Sequence, residues 1–463
     1  MAASRVHMRI TLFTHGTRGD VWPFIALGDH LRERDHDVTL AAPPNYAALV
    51  RAAGLRYGAL PFDGEAFLAS DEGRRLTAVG GVRMVRALQA AYAEHARAFD
   101  EGFLKASEGA EALVAMHMTI ERAQVIAEYR RLPLAMVWPT VLTPTGDFSS
   151  PVLQGRELPT RALRRASHLL LHRVWAAGSA GQTAALRRRL GLPSSRTPAF
   201  YRQQVPSALC LNTVSPSILP RPCDWGPQER ISGSWRMPDR VRSDLGERIP
   251  TALQSWLEAG RPPLYLGLGS MPVFEPAALL DDIRAATAAV GARTIIHAGW
   301  AAHGSTTPDP DGRVYIVDGP LDHDRLLPRC RAAVHHGGAG TTMTVARAGL
   351  PALVLSVGFE QPWWGRRLER LGVGHHLRFA NLDRMRLETG LRAVLDPHTA
   401  ARAAALGHRM HGEPDGAHAS ARMLEDWLVT AEPQTPPRPA AIRIGGHRSR
   451  RRRPRSGSAT ACG

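Results

Sequence analysis

The stretch "RAAVHHGGAGTTMTVARAGLPALVLSV", residues 331–357, contains an apolar run, a glycine-rich turn, a helix-like segment and a second apolar run. This order predicts two buried strands joined by a helix, the βαβ unit of a parallel sheet. Glycines after a strand let the backbone approach a ligand, and the free amides at a helix start attract anions such as phosphate. The stretch therefore predicts an α/β fold, and its turn is either a phosphate site or a tight turn with packed histidines.

The same alternation of strands and helices occupies two separate parts of the chain. It begins with "HMRITLF" at 7–13, continues to "LRYGALP" at 55–61, and resumes with "PPLYLGLGS" at 262–270. The intervening 217–250 segment is rich in Pro, Gly and charge, which is typical of a linker. We therefore predict two Rossmann-like, doubly wound domains facing a central cleft, with ligands outside the carboxyl ends of the strands. The expected parts are an N-terminal domain at 1–230, a linker at 231–262, a C-terminal domain at 263–430 and a tail at 431–463.

Half of the excess charge lies at the end of the chain. The formal net charge is +16, and residues 433–463 hold eight arginines and no acidic residue. A segment with so few apolar residues cannot bury enough surface to fold, so we expect a disordered tail. Arginine-rich tails also bind nucleic acid or anionic lipid. We favour a solvated extension and expect no nucleic-acid partner.

Cysteine usage and hydropathy indicate a cytoplasmic protein. The four cysteines, Cys210, Cys223, Cys330 and Cys462, form no CxxC pair and have no histidine at metal-site spacing, so we expect reduced thiols. The first residues lack the apolar core of a signal peptide, and no run reaches the roughly 18 apolar residues of a membrane span. No integral membrane segment is expected. The oligomeric state has no signal in the sequence.

The segment "THGTRGDVWPF", residues 14–24, follows the first predicted strand and opens the first predicted helix. Asp20 falls at the helix start, where aspartate is a preferred N-cap. A carboxylate at the carboxyl end of a strand can also act as a general base in the cleft. Both interpretations stay open, although a carboxylate used as a cap is less free as a base.

Two common phosphate motifs do not fit the glycine turn. A dinucleotide fingerprint requires a third glycine where this chain has Met343, and a P-loop requires a lysine that is missing. Another phosphate ligand is still compatible with the turn. His336 could donate a ring N–H to it, and Thr341 or Thr342 could add a hydroxyl.

Two further polar groups follow predicted strands. Asp322 and Asp324 form a D-x-D pair, which can hold a divalent cation, but acids at a helix start also interact favourably with the helix dipole. We expect no metal there. Glu360 and Gln361 are adjacent after a buried strand and together offer acceptors and donors for several sugar hydroxyls.

In this order and at these separations, the stretches resemble the family-1 glycosyltransferases of the GT-B fold. The likeness is greatest to the bacterial sterol-glucosyltransferase and glycopeptide or macrolide antibiotic group, and it covers roughly residues 8–430. It is carried by "GTRGDVWPFIALGDHLRERDHDVTLAAP" at 16–43, "YLGLGSM" at 265–271 and "RCRAAVHHGGAGTTMTVARAGLPALVLSVGFEQPWWG" at 329–365.

The resemblance implies an inverting transfer of a hexose from a UDP- or dTDP-sugar, such as UDP-glucose, to a hydroxyl of a small hydrophobic acceptor. Natural products, sterols and polyketides are all candidate acceptors. The N-terminal domain would bind the acceptor, and Asp20 would deprotonate its hydroxyl. The C-terminal domain would bind the nucleotide sugar, with no metal or other cofactor.

The resemblance also implies individual roles in the C-terminal domain. The donor diphosphate would be held by His336, Gly338, Gly340, Thr341 and Ser270. Glu360 and Gln361 would bind hydroxyls of the donor sugar. The group usually has Asp-Gln at that pair, so Glu360 extends the carboxylate by about 1.5 Å. Trp22 replaces the usual Gln or Glu and is expected to raise the pKa of Asp20 by making its surroundings more apolar.

Two other functions stay open on the sequence. One is a nucleotide-sugar epimerase of the same fold, which would not need the Asp20 motif. The other is a non-catalytic helper that binds sugar nucleotides. The presence of both Asp20 and Gln361 favours the transferase.

Overall fold

The computed structural model describes residues 7–73, 89–195, 197–198, 207–269, 276–297, 309 and 311–435. Its first sheet is built from β1 (Arg9–Phe13), β2 (Asp37–Ala42), β3 (Arg56–Ala59), β4 (Ala112–Met116), β5 (Leu134–Trp138), β6 (Cys210–Asn212) and β7 (Glu229–Ile231). The strands are parallel and lie in the order β3-β2-β1-β4-β5-β6-β7. Phe13 of β1 pairs with Ala41 on one side and Ala115 on the other, so β1 and β4 are central neighbours.

The second sheet repeats this plan. It is built from β8 (Leu264–Gly267), β9 (Thr294–His297), β10 (Val314–Val317), β11 (Ala332–His335), β12 (Ala352–Ser356) and β13 (Gly374–Arg378). Its parallel order is β10-β9-β8-β11-β12-β13. In both sheets the strand order reverses at the centre, between β1 and β4 and between β8 and β11. These reversals are topological switch points, where open α/β sheets bind ligands.

The helices cover the faces of the two sheets. The first domain contains α1 (Arg18–Arg32), α2 (Ala47–Ala52), α3 (Gly64–Ala69), α4 (Ala96–Ala106), α5 (Ile120–Arg130) and α6 (Arg161–Arg189). The remaining helices are α7 (Asp239–Asp244), α8 (Thr251–Glu258), α9 (Pro276–Ala289), α10 (His323–Leu326), α11 (Ala339–Arg347), α12 (Gln361–Leu371), α13 (Arg384–Val394), α14 (Pro397–His411) and α15 (Gly416–Leu428). Every residue of β4, β5 and β12 is buried, as expected for parallel strands with helices on both faces.

The last described helix, α15, lies within the range 263–430 that the sequence assigns to the C-terminal domain, yet it packs on α1. Its Ala417, Ala421 and Leu424 lie at helical spacing in the apolar cluster of the first domain. Helical periodicity shows that α15 has an apolar face but carries no information about which element covers it. The chain therefore crosses back to the first domain near its end.

The linker at 231–262 is structured and takes part in both cores. Val241 of α7 belongs to the apolar cluster of the first sheet, whereas Leu253 and Trp256 of α8 belong to a cluster with residues of the second. The linker thus packs against both domains as well as connecting them in sequence.

Beyond α15, the described residues still contact the first domain. The backbone N–H of Gln434 donates to the Leu132 carbonyl at 3.1 Å. Residues 436–463, on which the prediction of a disordered tail rests, lie outside the described residues. No helix in the described ranges combines the length and the apolar character needed to cross a bilayer. Cys210, Cys223 and Cys330 are free thiols, and Cys462 lies outside the described residues.

Candidate active site

Asp20 lies at the first switch point, on the helix that follows β1. Thr17 is the N-cap of α1 and Asp20 is its third helical residue. The Asp20 Oδ2 accepts the Thr17 backbone N–H at 2.8 Å, as the third residue of a capping box does. The expectation that Asp20 itself is the N-cap is therefore wrong, because the helix begins three residues earlier than its apolar spacing indicates.

Gly16 makes room for this carboxylate. Its φ is +133°, a conformation that residues with a side chain rarely adopt. A Cβ built on Gly16 would also overlap Asp20 Oδ2. The glycine of "GTRGD" is thus required both by the turn and by the position of the Asp20 side chain.

Asp20 has an unusual pKa for an aspartate. Burial raises it from 3.8 to about 6, the negative charge of Glu65 adds to the rise, and the hydrogen bonds from Thr17 oppose it. The pKa changes in the direction expected from the sequence. The ring of Trp22, the residue that was expected to cause this rise, has its centre 4.1 Å from the Arg18 Cζ and so contacts the Arg18 guanidinium. Asp20 stays partly exposed and ionised at neutral pH, as a general base must be.

His15, to which the sequence assigned no role, contacts the backbone of the loop that follows β3. Its Nε2 lies 3.1 Å from the Phe62 carbonyl oxygen and its Nδ1 contacts the Tyr92 hydroxyl. Burial lowers the pKa of His15 to about 4. A neutral imidazole that donates from Nε2 and accepts at Nδ1 satisfies both contacts, so His15 is a structural partner of the loop.

The glycine-rich turn lies at the second switch point, between β11 and α11. Gly338 is the N-cap of α11, and no side chain within the described residues caps this helix. The first amides of α11 therefore lack a side-chain acceptor and keep the partial positive charge of a helix start. His335 is fully buried, and its Nδ1 accepts the Gly337 backbone N–H at 3.0 Å, a structural role in the turn.

The His336 ring lies between two glycine turns. A Cβ on Gly338 would overlap His336 Nε2, and a Cβ on Gly269, after β8, would lie 2.9 Å from its Cε1. Gly338 has an ordinary φ of −61°, which any residue can adopt. Glycine is therefore required here because a side chain would overlap the His336 ring, and not because of the backbone conformation. Burial lowers the pKa of His336 to about 4, which leaves a neutral ring with one N–H donor.

The other predicted diphosphate ligands differ in availability. A Cβ on Gly340 would meet no atom within 4 Å, so this part of the turn is open. Thr341 is partly exposed, whereas Thr342 is buried and its Oγ1 donates to the Gly338 carbonyl at 2.9 Å. Ser270 lies outside the described residues.

Glu360 and Gln361 lie where β12 passes into α12. The Gln361 Oε1 accepts the backbone N–H groups of Val357 at 2.8 Å and Gly358 at 3.3 Å, which fixes the loop before the helix. Burial raises the pKa of Glu360 to about 7, and the negative charge of Asp20 raises it further. Residues from the two domains are thus close enough for their charges to interact.

The D-x-D pair has protein partners. Asp322 caps α10 and accepts the Arg325 backbone N–H at 3.1 Å. The Asp324 Oδ2 lies 2.5 Å from the Arg242 Nη2 and 3.2 Å from the Arg347 Nη2. Among the residues that the structure describes, no group of three or more His, Cys, Asp or Glu side chains could hold a metal ion. These two carboxylates serve helix capping and ion pairs.

Comparison with known proteins identifies the family. Residues 10–128 match the glycosyltransferase family 28 N-terminal domain, and residues 283–425 match the erythromycin biosynthesis protein CIII-like C-terminal domain. The chain is 32% identical to the O-mycaminosyltylonolide 6-deoxyallosyltransferase of Streptomyces fradiae, over 91% of this chain and 98% of the relative.

Solved structures share the fold. The glycosyltransferase of kitacinnamycin superposes with a TM-score of 0.65 at 18% identity, covering 91% of this chain and 99% of that one. A Streptomyces sp. SF2575 glycosyltransferase complexed with thymidine diphosphate gives 0.60 at 19% identity, covering 91% and 100%. The chain therefore belongs to the family-1 glycosyltransferases of the GT-B fold. It is a glycosyltransferase of the antibiotic and macrolide type, which confirms the predicted family, fold and class of enzyme.

Proposed function

We propose that the chain catalyses the inverting transfer of a hexose from a UDP- or dTDP-sugar to a hydroxyl of a small hydrophobic acceptor. The observation that carries this proposal is the placement of two carboxylates, Asp20 at the start of α1 in one domain and Glu360 at the start of α12 in the other, close enough for the Asp20 charge to contribute to the raised pKa of Glu360. A base for the acceptor and a partner for the donor sugar thus face one cleft. An epimerase acting on the nucleotide sugar alone has no use for Asp20 at that point.

In the proposed reaction, the Asp20 carboxylate takes the proton of the acceptor hydroxyl. The acceptor oxygen then forms a bond to the anomeric carbon while the bond from that carbon to the diphosphate oxygen breaks, which inverts the configuration. Negative charge develops on the leaving diphosphate. The uncapped start of α11, with Gly338, Gly340 and Thr341, and the His336 ring stabilise this charge.

The remaining assignments follow from position. Glu360 binds hydroxyls of the donor sugar, and Gln361 holds the loop that presents it. No metal is assigned, because the helix start and His336 supply the positive potential that a cation would otherwise provide.

The comparisons support the choice of substrates. The Streptomyces fradiae relative is named as a deoxyallosyltransferase acting on a glycosylated tylonolide, and the Streptomyces sp. SF2575 structure holds thymidine diphosphate. Both are consistent with a hexose, a nucleoside diphosphate and a natural-product acceptor.

A donor and acceptor screen tests the proposal. Several UDP- and dTDP-sugars are incubated with a mixed aglycone panel, and products are detected by mass spectrometry with the anomeric configuration assigned by NMR. We expect a product heavier by one hexosyl group, with inverted configuration, and none from Asp20→Ala. Epimerised donor without any glycoside would instead favour the epimerase, and donor that binds but stays unchanged would favour the non-catalytic helper.

A further inference from the structure

An aromatic surface follows the carboxyl ends of β4 and β5. We define the His117 wall as His117, directly after β4, Trp138, the last residue of β5, and His172 and Trp175 on α6. The His117 and Trp138 rings are 6.2 Å apart and nearly parallel, and Trp175 lies 6.5 Å from His117. Trp138 stacks on His172 at 6.2 Å.

The His117 wall begins next to the contact that fixes Asp20. The Thr14 Oγ1 donates to the Asp20 carbonyl at 2.8 Å and lies 3.0 Å from the Met116 Sδ. His117 is the next residue after Met116. Because β1 and β4 are neighbours in the sheet, the loop that leads to Asp20 and the residue His117 leave the same edge of the sheet. The His117 wall therefore adjoins the loop that positions Asp20.

The electrostatic character of the His117 wall is neutral. Burial lowers the pKa of both His117 and His172 to about 4, so neither ring carries a charge at neutral pH. Trp175 is partly exposed. Trp138 and His172 are buried, so the accessible part of the wall is formed by His117 and Trp175, whose ring planes differ by 58°. This surface is aromatic and uncharged, which favours contact with another π-system over solvation of a charged group.

His117 adds one polar group to this surface. The ring is partly exposed, its Nδ1 is buried without a partner, and neither nitrogen has a hydrogen bond among the described residues. A buried N–H without an acceptor is costly, so the proton belongs on Nε2, the nitrogen that is not enclosed. His117 therefore presents an N–H donor toward the space in front of the wall.

We propose that the His117 wall recognises an acceptor with a flat, hydroxylated aromatic ring system that bears a carbonyl oxygen. The rings of His117 and Trp175 pack against the aromatic system, and His117 Nε2–H donates to the carbonyl while the acceptor hydroxyl reaches Asp20. His117 is then a specificity-determining residue. This inference rests on the proposed function, since it names the acceptor class of the same reaction.

Donor-free calorimetry tests the proposal, because binding needs no sugar transfer. The probes are a hydroxyanthraquinone, a hydroxyanthracene without carbonyls, and a sterol as a saturated polycyclic alcohol. We expect the anthraquinone to bind at least about tenfold more tightly than the sterol. In His117→Phe, which keeps a ring, we expect about a tenfold loss for the anthraquinone and little change for the anthracene.

Two further variants sharpen the result. Trp175→Leu removes an aromatic face and is expected to weaken both aromatic probes severalfold, while His398→Phe, at a remote exposed histidine, is expected to change none of the affinities. Melting temperatures confirm that each variant is folded. Equal affinity for the sterol and the anthraquinone, or unchanged anthraquinone binding by folded His117→Phe, would overturn the proposal.

The outcomes separate this inference from the proposed function. Aromatic binding that responds to His117→Phe, without sugar transfer to any acceptor, would support the His117 wall and refute the transfer reaction. Transfer to saturated acceptors, without preferential aromatic binding, would support the reaction and refute the aromatic acceptor class.

Discussion

The two switch points share a backbone plan and differ in their electrostatics. Each has a strand, a glycine turn and a helix start. After β1, Thr17 caps α1 and the Asp20 carboxylate closes on the cap amide. After β11, Gly338 occupies the cap position of α11, and in the part of the chain that the structure describes no side chain caps the helix. One helix start has its own carboxylate, whereas the other leaves its amides available to an external anion.

This difference matches the two demands of the proposed reaction. A proton has to leave the acceptor, which suits a carboxylate whose pKa burial has raised to about 6. A negative charge has to be stabilised on the departing diphosphate, which suits an uncapped helix start and a neutral histidine donor. The two turns thus differ at the third helical residue, which is the carboxylate Asp20 in α1 and the hydroxyl residue Thr341 in α11.

The largest effect is expected from removing the base. Asp20→Asn keeps an oxygen that can accept the Thr17 N–H but cannot take a proton at neutral pH. We expect kcat to fall about a thousandfold, within the range for loss of a general base. Single-turnover mass spectrometry of glycoside formation, with saturating donor and acceptor, measures it.

Asp35→Asn is the matched control, because Asp35 is exposed on the same domain and asparagine tolerates its left-handed φ of 68°. It should transfer sugar at the wild-type rate. If Asp20→Asn transfers as fast as Asp35→Asn, the contrast between the two switch points has no catalytic meaning.

A smaller loss is expected at the donor turn. His336→Ala removes one donor to the diphosphate, and we expect kcat/KM for the nucleotide sugar to fall about a hundredfold. His336→Asn, which retains an N–H donor, should recover part of the loss. Gly338→Ala should resemble His336→Ala, because its methyl group would displace the ring. Steady-state kinetics with varied donor would contradict this role if all three variants matched His398→Ala.

The two sheets and both turns could be predicted from the sequence, because parallel strands that are buried on both faces consist of apolar runs, and turn residues separate these runs. The cap of α1 was misplaced because threonine and aspartate are both good caps, and only the backbone decides which residue is half outside the helix. The His117 wall left no signal, since its rings come from β4, β5 and α6 and meet only in the folded domain. The packing of α15 on α1 could not be predicted either, because the two helices are far apart in the sequence and meet only in the folded chain.

A modest effect separates the adjacent threonines of the turn. Thr341 is partly exposed, whereas the Thr342 hydroxyl donates a hydrogen bond to the Gly338 carbonyl. Thr341→Val should raise the donor KM about three- to tenfold with an unchanged melting temperature. Thr342→Val should lower stability by about 1 kcal/mol, measured by urea unfolding. An unchanged donor KM in Thr341→Val would remove this hydroxyl from the diphosphate site.

The smallest effect on the transfer rate at neutral pH is expected from changing Glu65, the carboxylate whose charge acts on Asp20. Because the proposed reaction uses Asp20 in its ionised form, kcat/KM should fall as the pH drops through about 6. Glu65 raises this pKa by its charge and accepts the Arg18 backbone N–H at 3.1 Å, which a glutamine oxygen can also do. Glu65→Gln should therefore move the acid limb to lower pH and leave the rate at pH 8 within about twofold of wild type. Glu72→Gln, at an exposed glutamate, should leave the limb in place.

The same raised pKa predicts an effect on stability. Asp20 binds its proton more tightly folded, at about 6, than at its ordinary 3.8, so the folded state loses stability as the pH rises from about 4 to 6. Asp20→Asn removes this cost. Its melting temperature should therefore exceed that of the wild type at pH 8 and match it at pH 4, measured by calorimetry at both pH values. A base that weakens the fold at neutral pH is the electrostatic opposite of the donor turn, where the buried histidines His335 and His336 are neutral at that pH. Equal melting temperatures at pH 8 would show that Asp20 is solvated, and would break the contrast between the two switch points at its source.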